Sequence, residues 1–191
     1  MTKLVILDRD GVINEDSDSY VKTADEWVPL AGSIEAIARL YKAGYTVVVA
    51  TNQSGIGRGL FDLDELEAMH AKLSDLLLEA GAELSGIFYC PHTPDDGCNC
   101  RKPAPGLLDA IAEEFNLSLA GVPIVGDSLR DLQAGLPHQC TPILVRTGKG
   151  ATTEAKLPEQ DQLALRQALV FDDLSQAVDY LLTAQKTEKL Q

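Results

Sequence analysis

Apolar runs that stop abruptly at polar residues organise this chain. Leu4-Val5-Ile6-Leu7 ends at Asp8-Arg9-Asp10-Gly11, and Tyr45-Thr46-Val47-Val48-Val49-Ala50 ends at Thr51-Asn52-Gln53-Ser54-Gly55. Continuous rather than alternating apolar character predicts strands buried on both faces, as in a parallel sheet. Between them, Ser33 is suited to cap a helix running to Ala43 and ended by Gly44, with Ile34, Ile37, Ala38 and Tyr41 at the i, i+3, i+4, i+7 spacing of one face. A long helix from Asp64 to Ala80 would turn Leu66, Met69, Leu73, Leu76 and Leu77 inward, Met69 as core filler. The pattern continues with a short strand at Gly86–Tyr89, a helix at Gly106–Phe115 and a strand at Val122–Val125. A short helix from Leu129, a strand at Thr141–Val145 and a helix at Leu174–Leu182 complete it. Residues 149–162 read as a surface loop. The alternation predicts an α/β fold, a doubly wound parallel sheet with helices on both faces. Without repeats or a linker, the 191 residues fit a single domain over residues 1–185, the tail after Thr183, and certainly 186–191, being frayed.

Charge and cysteine usage narrow the function. With 16 basic and 29 acidic side chains the formal charge is −13, which opposes binding to nucleic acid or an anionic membrane surface. An anionic substrate would then need a metal ion or positioned cations to attract it locally. No signal-peptide pattern precedes the first strand and no apolar run reaches transmembrane length, so a cytoplasmic protein is expected. The absence of a surplus apolar stripe points to a monomer.

Cys90-Pro91-His92 followed by Cys98-Asn99-Cys100 supplies three thiolates and one imidazole within eleven positions. That is a complete tetrahedral zinc set with no open position, hence a structural Zn2+ site. A disulfide is disfavoured, because Cys-x-Cys closes a strained ring. The segment Pro91 to Pro105 is too rich in Pro, Cys, Asp and Gly for a regular element, so a metal clip would order it and set Arg101 and Lys102. Cys140 reads as a small buried hydrophobe.

In a doubly wound sheet the ligand crevice lies beyond the carboxyl ends of the strands. Asp8 and Asp10, then Thr51 and Asn52, then Asp127 with Asp131 all fall at such ends, and Lys102 opens the helix before the third. Carboxylates, a hydroxyl and a lysine around one small ligand suit phosphoryl transfer through a carboxylate nucleophile.

Four segments carry a family likeness: Leu7-Asp8-Arg9-Asp10-Gly11, Ala50-Thr51-Asn52-Gln53-Ser54-Gly55, Arg101-Lys102-Pro103 and Gly126-Asp127-Ser128-Leu129-Arg130-Asp131. Through them the chain resembles the haloacid dehalogenase (HAD) superfamily of phosphohydrolases, from Leu4 to Asp131. The resemblance implies a HAD-like Rossmannoid fold in which Asp8 is the nucleophile and Asp10 the general acid and base. It further implies Mg2+ between Asp8, the Asp10 carbonyl and Asp127, phosphoryl contacts from Thr51 and Asn52, charge compensation by Lys102, and Asp131 orienting the lysine or a metal-bound water. The cysteine clip, with Thr-Asn-Gln-Ser-Gly and Cys-Arg-Lys-Pro, makes the chain similar to the heptose-bisphosphate and histidinol-phosphate phosphatase subfamily. That likeness implies a phosphosugar bisphosphate as substrate, with histidinol phosphate as the alternative and a non-catalytic phosphosugar-binding protein as a further one. It also assigns Arg101 to the retained phosphate, and Asp16, Tyr20, Gln53 and Ser54 to substrate contact. Ser128 departs from the lysine that many relatives carry there, and Arg130 and Arg58 are each either a compensating cation or a solvated surface arginine. About 40 residues separate Asp10 from Thr51 and about 50 separate Thr51 from Lys102, lengths used up by the sheet's own elements, so a capless enzyme is expected. Selectivity then falls to the loops near 16–20, 54–61 and 91–101. Trp27 would pack in the core or brace the first of them.

Overall fold

A computed structural model describes residues 3–188. Six strands form one parallel sheet: β1 (Leu4–Leu7), β2 (Thr46–Asn52), β3 (Gly86–Cys90), β4 (Pro123–Gly126), β5 (Thr141–Val145) and β6 (Leu169–Phe171), in the spatial order β3-β2-β1-β4-β5-β6. The chain leaves β1 toward β2 on one side and returns to β4 on the other. This reversal opens a crevice at the carboxyl ends of β1 and β4.

The apolar runs are explained by burial on both faces. Val5 and Leu7 of β1 and Val47 and Val49 of β2 face α1 (Ser33–Lys42), α3 (Leu63–Glu79) and α8 (Leu174–Glu188), joining Ile37, Leu40, Leu66, Met69, Leu73, Leu77 and Val178. Leu4, Ile6, Val48 and Ala50 face the other way, toward Leu107, Leu108 and Ile111 of α4 (Gly106–Glu114) and Ala134 of α5 (Leu129–Gly135). Cys140 belongs to this second layer, as expected of a small hydrophobe. Trp27 is buried in the first layer, and Lys72 of α3 donates from Nζ to the carbonyls of Ala24 and Trp27 at 2.7 and 2.8 Å, fastening the loop that follows β1.

Several local expectations are corrected. Gly32, not Ser33, is the N-cap of α1; Ser33 is its first residue, and its hydroxyl donates to the Ile13 carbonyl at 2.6 Å. Packing of α1 against α3 and α8 turns Ala36 and Leu40 inward with Ile37 and Ala38, while Tyr41 is exposed and donates to Glu83. Residues 149–162 are not a plain loop: α6 (Gly150–Glu154) and a 3-10 turn at Leu157–Glu159 bury Thr153 and Leu157. Those turns are too short and polar to show helical periodicity. The sequence reading also missed β6 and α7 (Leu163–Arg166), whose Leu165 closes a small third cluster with Leu132, Leu144 and Leu157. The last helix runs past Leu182 to Glu188, so the tail expected to fray is helical that far; residues 189–191 lie outside those described.

The intervals after β1 and β2 hold only a loop with α1, and α2 (Ser54–Gly57), α3 and β3, with no inserted domain among the described residues. No helix among them is long and apolar enough to cross a membrane. Leu73 is fully buried between the sheet and α3's neighbours, so Leu73→Ala is expected to lower stability by about 2–5 kcal/mol in denaturant titration.

Candidate active site

The site is built around a buried lysine. Lys102 is 2 % exposed, and its ammonium donates to the Ala50 carbonyl at 2.6 Å, Asp8 Oδ1 at 2.9 Å and Asp131 Oδ1 at 2.8 Å. All three of its protons are thereby used. Its backbone is held by Asn52 at the end of β2: the Lys102 N–H donates to Asn52 Oδ1, and Asn52 Nδ2 donates to the Lys102 carbonyl, both at 3.0 Å.

One lysine cannot satisfy two buried carboxylates equally. Asp131 also accepts from the Ser128 backbone N–H and hydroxyl through Oδ2, closing the capping box of α5. Burial opposes the Asp131 charge, but Lys102 and Ser128 outweigh it and hold its carboxyl below the usual range. Lys102 is likewise held protonated by Asp131 and Asp8 against its own burial. Asp8 gains less: burial and the Asp131 charge, only partly offset by Lys102, push it up to about 7. Asp127, beyond β4, is pushed up to about 8 by burial and by Asp131 and Asp8, with the Lys149 N–H working against the shift.

Oxygens of Asp8, Asp127 and Asp131 lie within 4.8 Å of one another. Because Asp131 is committed to Lys102 and Ser128, Asp8 and Asp127 are the pair free to hold a cation. Two raised carboxylates side by side are a poor arrangement for the protein alone and a good one for a hard divalent ion. Backbone packs tightly against this pair. A Cβ on Gly11 (φ +83°) or Gly148 (φ +56°) would come within 2.2 Å of Asp127 Oδ2, so both positions require glycine. Lys149 N–H donates to the same oxygen at 2.8 Å, and the Thr147 hydroxyl donates to the Gly11 carbonyl at 2.6 Å.

Asp10 sits in a separate network that the sequence reading did not anticipate. Fully buried Arg9 donates to Asp10 from Nε and Nη2 at 3.0–3.2 Å and to Gln53 Oε1 at 3.1 Å; Asn14 Nδ2 adds a bond to Asp10 at 2.9 Å. Gln53 Nε2 donates to Asp10 Oδ2 at 2.8 Å and to Thr51 Oγ1 at 2.9 Å, so its amide links the two polar residues rather than projecting freely. His70 of α3 lies 3.3 Å from Arg9 Nη1, its pKa lowered to about 4 by burial and the neighbouring guanidinium. A neutral ring can accept from Arg9. No short-range pattern marks Arg9 as buried, since two of its partners, Gln53 and His70, lie far along the chain.

Asp8, Asp10, Thr51, Lys102, Asp127 and Asp131 line one cavity of about 200 Å3, which also takes in Asp16, Tyr20, Ser54, Arg101, Arg130 and Lys149, while Arg9, Asn14 and His70 stand behind its wall. Tyr20 adopts φ +65° in its loop. Arg101 is half-buried and donates to the His92 carbonyl at 3.3 Å. Arg58 is exposed after α2, outside the lining.

Beside the cavity, Cys90, His92, Cys98 and Cys100 converge. Sulfur–sulfur separations are 3.0–3.6 Å, and His92 Nδ1 lies 3.2 and 3.6 Å from Cys100 and Cys90. A tetrahedron with bonds of about 2.3 Å has edges of about 3.8 Å, so the four donors fit zinc after slight expansion. The Gln53 and Gly57 N–H groups donate to the carbonyls of Cys90 and Pro91, tying this loop to the end of β2.

The parallel sheet, with carboxylates and a buried lysine gathered at its switch point, defines a phosphohydrolase of HAD-like architecture. Family models agree: the HAD-hydrolase-like model matches residues 99–177, and the polynucleotide kinase 3 phosphatase model matches residues 3–129. The chain belongs to the D-glycero-β-D-manno-heptose-1,7-bisphosphate 7-phosphatase family. It is 57 % identical to that phosphatase from Pseudomonas aeruginosa, over 94 % of this chain and 97 % of the relative, and 54 % identical to the one from Bordetella bronchiseptica, over 91 % and 98 %. A crystal structure of the B. bronchiseptica D,D-heptose 1,7-bisphosphate phosphatase complexed with magnesium and phosphate superimposes with a TM-score of 0.90 at 51 % identity, covering 96 % of this chain and 99 % of that one.

The raised pKa values set a test. A cation held by Asp8 and Asp127 must displace their protons, so magnesium affinity should strengthen as pH rises through 7–8, by up to about tenfold per unit for each proton displaced. Isothermal titration at pH 6, 7 and 8 should show this; affinity that is flat or falls with rising pH would exclude the carboxylate pair as the binding site.

Proposed function

We propose that the protein is a magnesium-dependent phosphatase that removes the C7 phosphate of D-glycero-β-D-manno-heptose 1,7-bisphosphate and leaves the C1 phosphate in place. The observation that carries this is the pairing of Asp8 with Lys102 and Asp127 at the head of β1, in a chain so close to named heptose-bisphosphate phosphatases. The β anomer follows the names of the relatives. Such an enzyme serves synthesis of nucleotide-activated heptose for surface glycans such as the lipopolysaccharide core, in the cytoplasm and as a monomer. The domain reading over residues 1–185 is kept with it.

In this reading Asp8 attacks phosphorus and forms an aspartyl-phosphate, which water then hydrolyses. Magnesium held by Asp8, Asp127 and the Asp10 carbonyl supplies charge neutralisation between an anionic nucleophile and an anionic ester. Lys102 offsets further charge at Asp8. Thr51 accepts from Gln53, which leaves its hydroxyl proton to be donated to a phosphoryl oxygen, alongside the Asn52 backbone. Asp10 protonates the leaving C7 oxygen and later takes a proton from water. Arg9, Asn14 and Gln53 aim its carboxyl for both steps. Asp131 keeps the lysine oriented. Arg101, Asp16, Tyr20 and Ser54 are assigned to the sugar and its second phosphate, on the ground that they line the same cavity. The Cys90, His92, Cys98 and Cys100 donor set supports a structural zinc that shapes the loop leading to Arg101.

Two measurements test these assignments. Asp8→Asn should lower kcat for phosphate release from the bisphosphate by about 10^3-fold or more while the far-UV circular dichroism stays native; retained turnover would remove Asp8 as nucleophile. Metal analysis should find one zinc per chain, lost in Cys100→Ser together with several degrees of Tm; a zinc-free native protein of unchanged Tm would reject the structural metal.

A further inference from the structure

The turn that follows β5 reaches the site from a part of the chain outside the recognised motifs. It is fixed beside the catalytic carboxylates by the Thr147 hydroxyl, which donates to the Gly11 carbonyl, and by the Lys149 N–H, which donates to Asp127. The Lys149 side chain is exposed and extends to Asp16 on the loop after β1, with Nζ 3.0 Å from Oδ2. Asp16 raises the Lys149 pKa, whereas the positive charge of Arg130 is close enough to lower it.

Behind this pair lies a second cavity of about 470 Å3, which shares Ser128, Arg130 and Lys149 with the first. Its other polar lining comes from Gln133, Thr152, Thr153 and Lys156, with no carboxylate among the lining residues described. In a chain of charge −13, three cations around an acid-free hollow make a local anion-attracting field. Neither Arg130 nor Lys156 has an ion pair among the described residues. Two acids face Lys149, Asp16 through its carboxylate at 3.0 Å and Asp127 through the Lys149 N–H, and both line the first cavity and not the second.

We propose that Lys149 and Arg130, on either side of Ser128 at the seam between the two cavities, bind the phosphate that the reaction leaves on the sugar. The free protein holds Lys149 against Asp16 as an internal stand-in for that phosphate, and an incoming dianion displaces the singly charged carboxylate. Ser128 carries no charge, and its hydroxyl and N–H are already donated to Asp131. The positive charge therefore comes from residues on its two flanks, with Arg101 entering from the zinc-type loop. This assignment rests on the bisphosphate reading above and deepens it. Binding of a remote, unreacting phosphate contributes equally to ground and transition states, so its loss raises KM and spares kcat.

The test compares phosphate release from the heptose 1,7-bisphosphate and from the heptose 7-phosphate that lacks the second phosphate, with magnesium saturating. For Lys149→Ala the ratio of KM on the bisphosphate to KM on the monophosphate should rise at least tenfold over wild type, with kcat on the bisphosphate within threefold. Arg130→Ala should shift the ratio in the same direction, and Lys149→Arg should restore most of it. An unchanged ratio, or equal losses on both substrates, would reduce Lys149 to support for the Asp127 turn and overturn the proposal. Wild-type enzyme that failed on the bisphosphate yet hydrolysed other monoesters would overturn the substrate reading itself, and this subsite with it.

Discussion

A single buried ammonium fixes the geometry on which everything else in this protein depends. Lys102 touches three separate parts of the sheet assembly at once: the end of β1 through Asp8, the end of β2 through the Ala50 carbonyl, and α5 through Asp131. The hydrophobic layers supply the driving force for folding, but they are tolerant of small shifts in register or angle. A lysine with three protons and three acceptors is not. Taking away the lysine leaves two carboxylates without a counter-charge in the interior, a penalty of several kcal/mol. The arrangement therefore selects the one packing in which Asp8 sits beside Asp127.

Around this centre the protein trades a cap domain for braced loops. The cysteine-rich segment is fastened to the head of β2 by two backbone hydrogen bonds, the loop after β1 is held by Lys72 and buried Trp27, and the turn after β5 is seated on Gly11 and Asp127. Each loop is anchored on the sheet or the elements packed on it, and these anchors define the cavity the loops enclose.

The fold was legible because parallel strands buried on both faces leave unbroken apolar runs, and each run ended where its chemistry begins. Asp8, Thr51 and Asp127 could be grouped from the sequence for that reason, Lys102 and Asp131 by their place in the motifs beside them, and the structure gathers all five around one cavity. What escaped was set by tertiary contact. Arg9 drew no role from its place between two acids, and its burial rests in part on His70 and Gln53 approaching from other elements. Lys149 follows a strand that carries no acid, and its role as a wall of the site depends on Gly148 having no side chain. Strand β6 has three residues, too few to show a period, and is assigned by its pairing to β5. Tyr41 was placed on the buried face of α1 by spacing, whereas the tilt imposed by α3 and α8 chose Leu40 instead.

The same lysine has a consequence for how the chain reaches its native state. Its partners come from positions 8, 50 and 131, and β1 pairs with β2 on one side and β4 on the other, so the pocket exists only after contacts spanning most of the chain have formed. Contacts of that range are slow to form, because the chain entropy they cost is lost before they return any stability. A partly folded chain holding only the β1-β2-β3 half would have its first acids in place and neither Asp127 nor Asp131 to complete the set. The acids of the site are thus complete only where β4 is docked against β1 and carries Asp127 and Asp131 to Asp8 and Lys102.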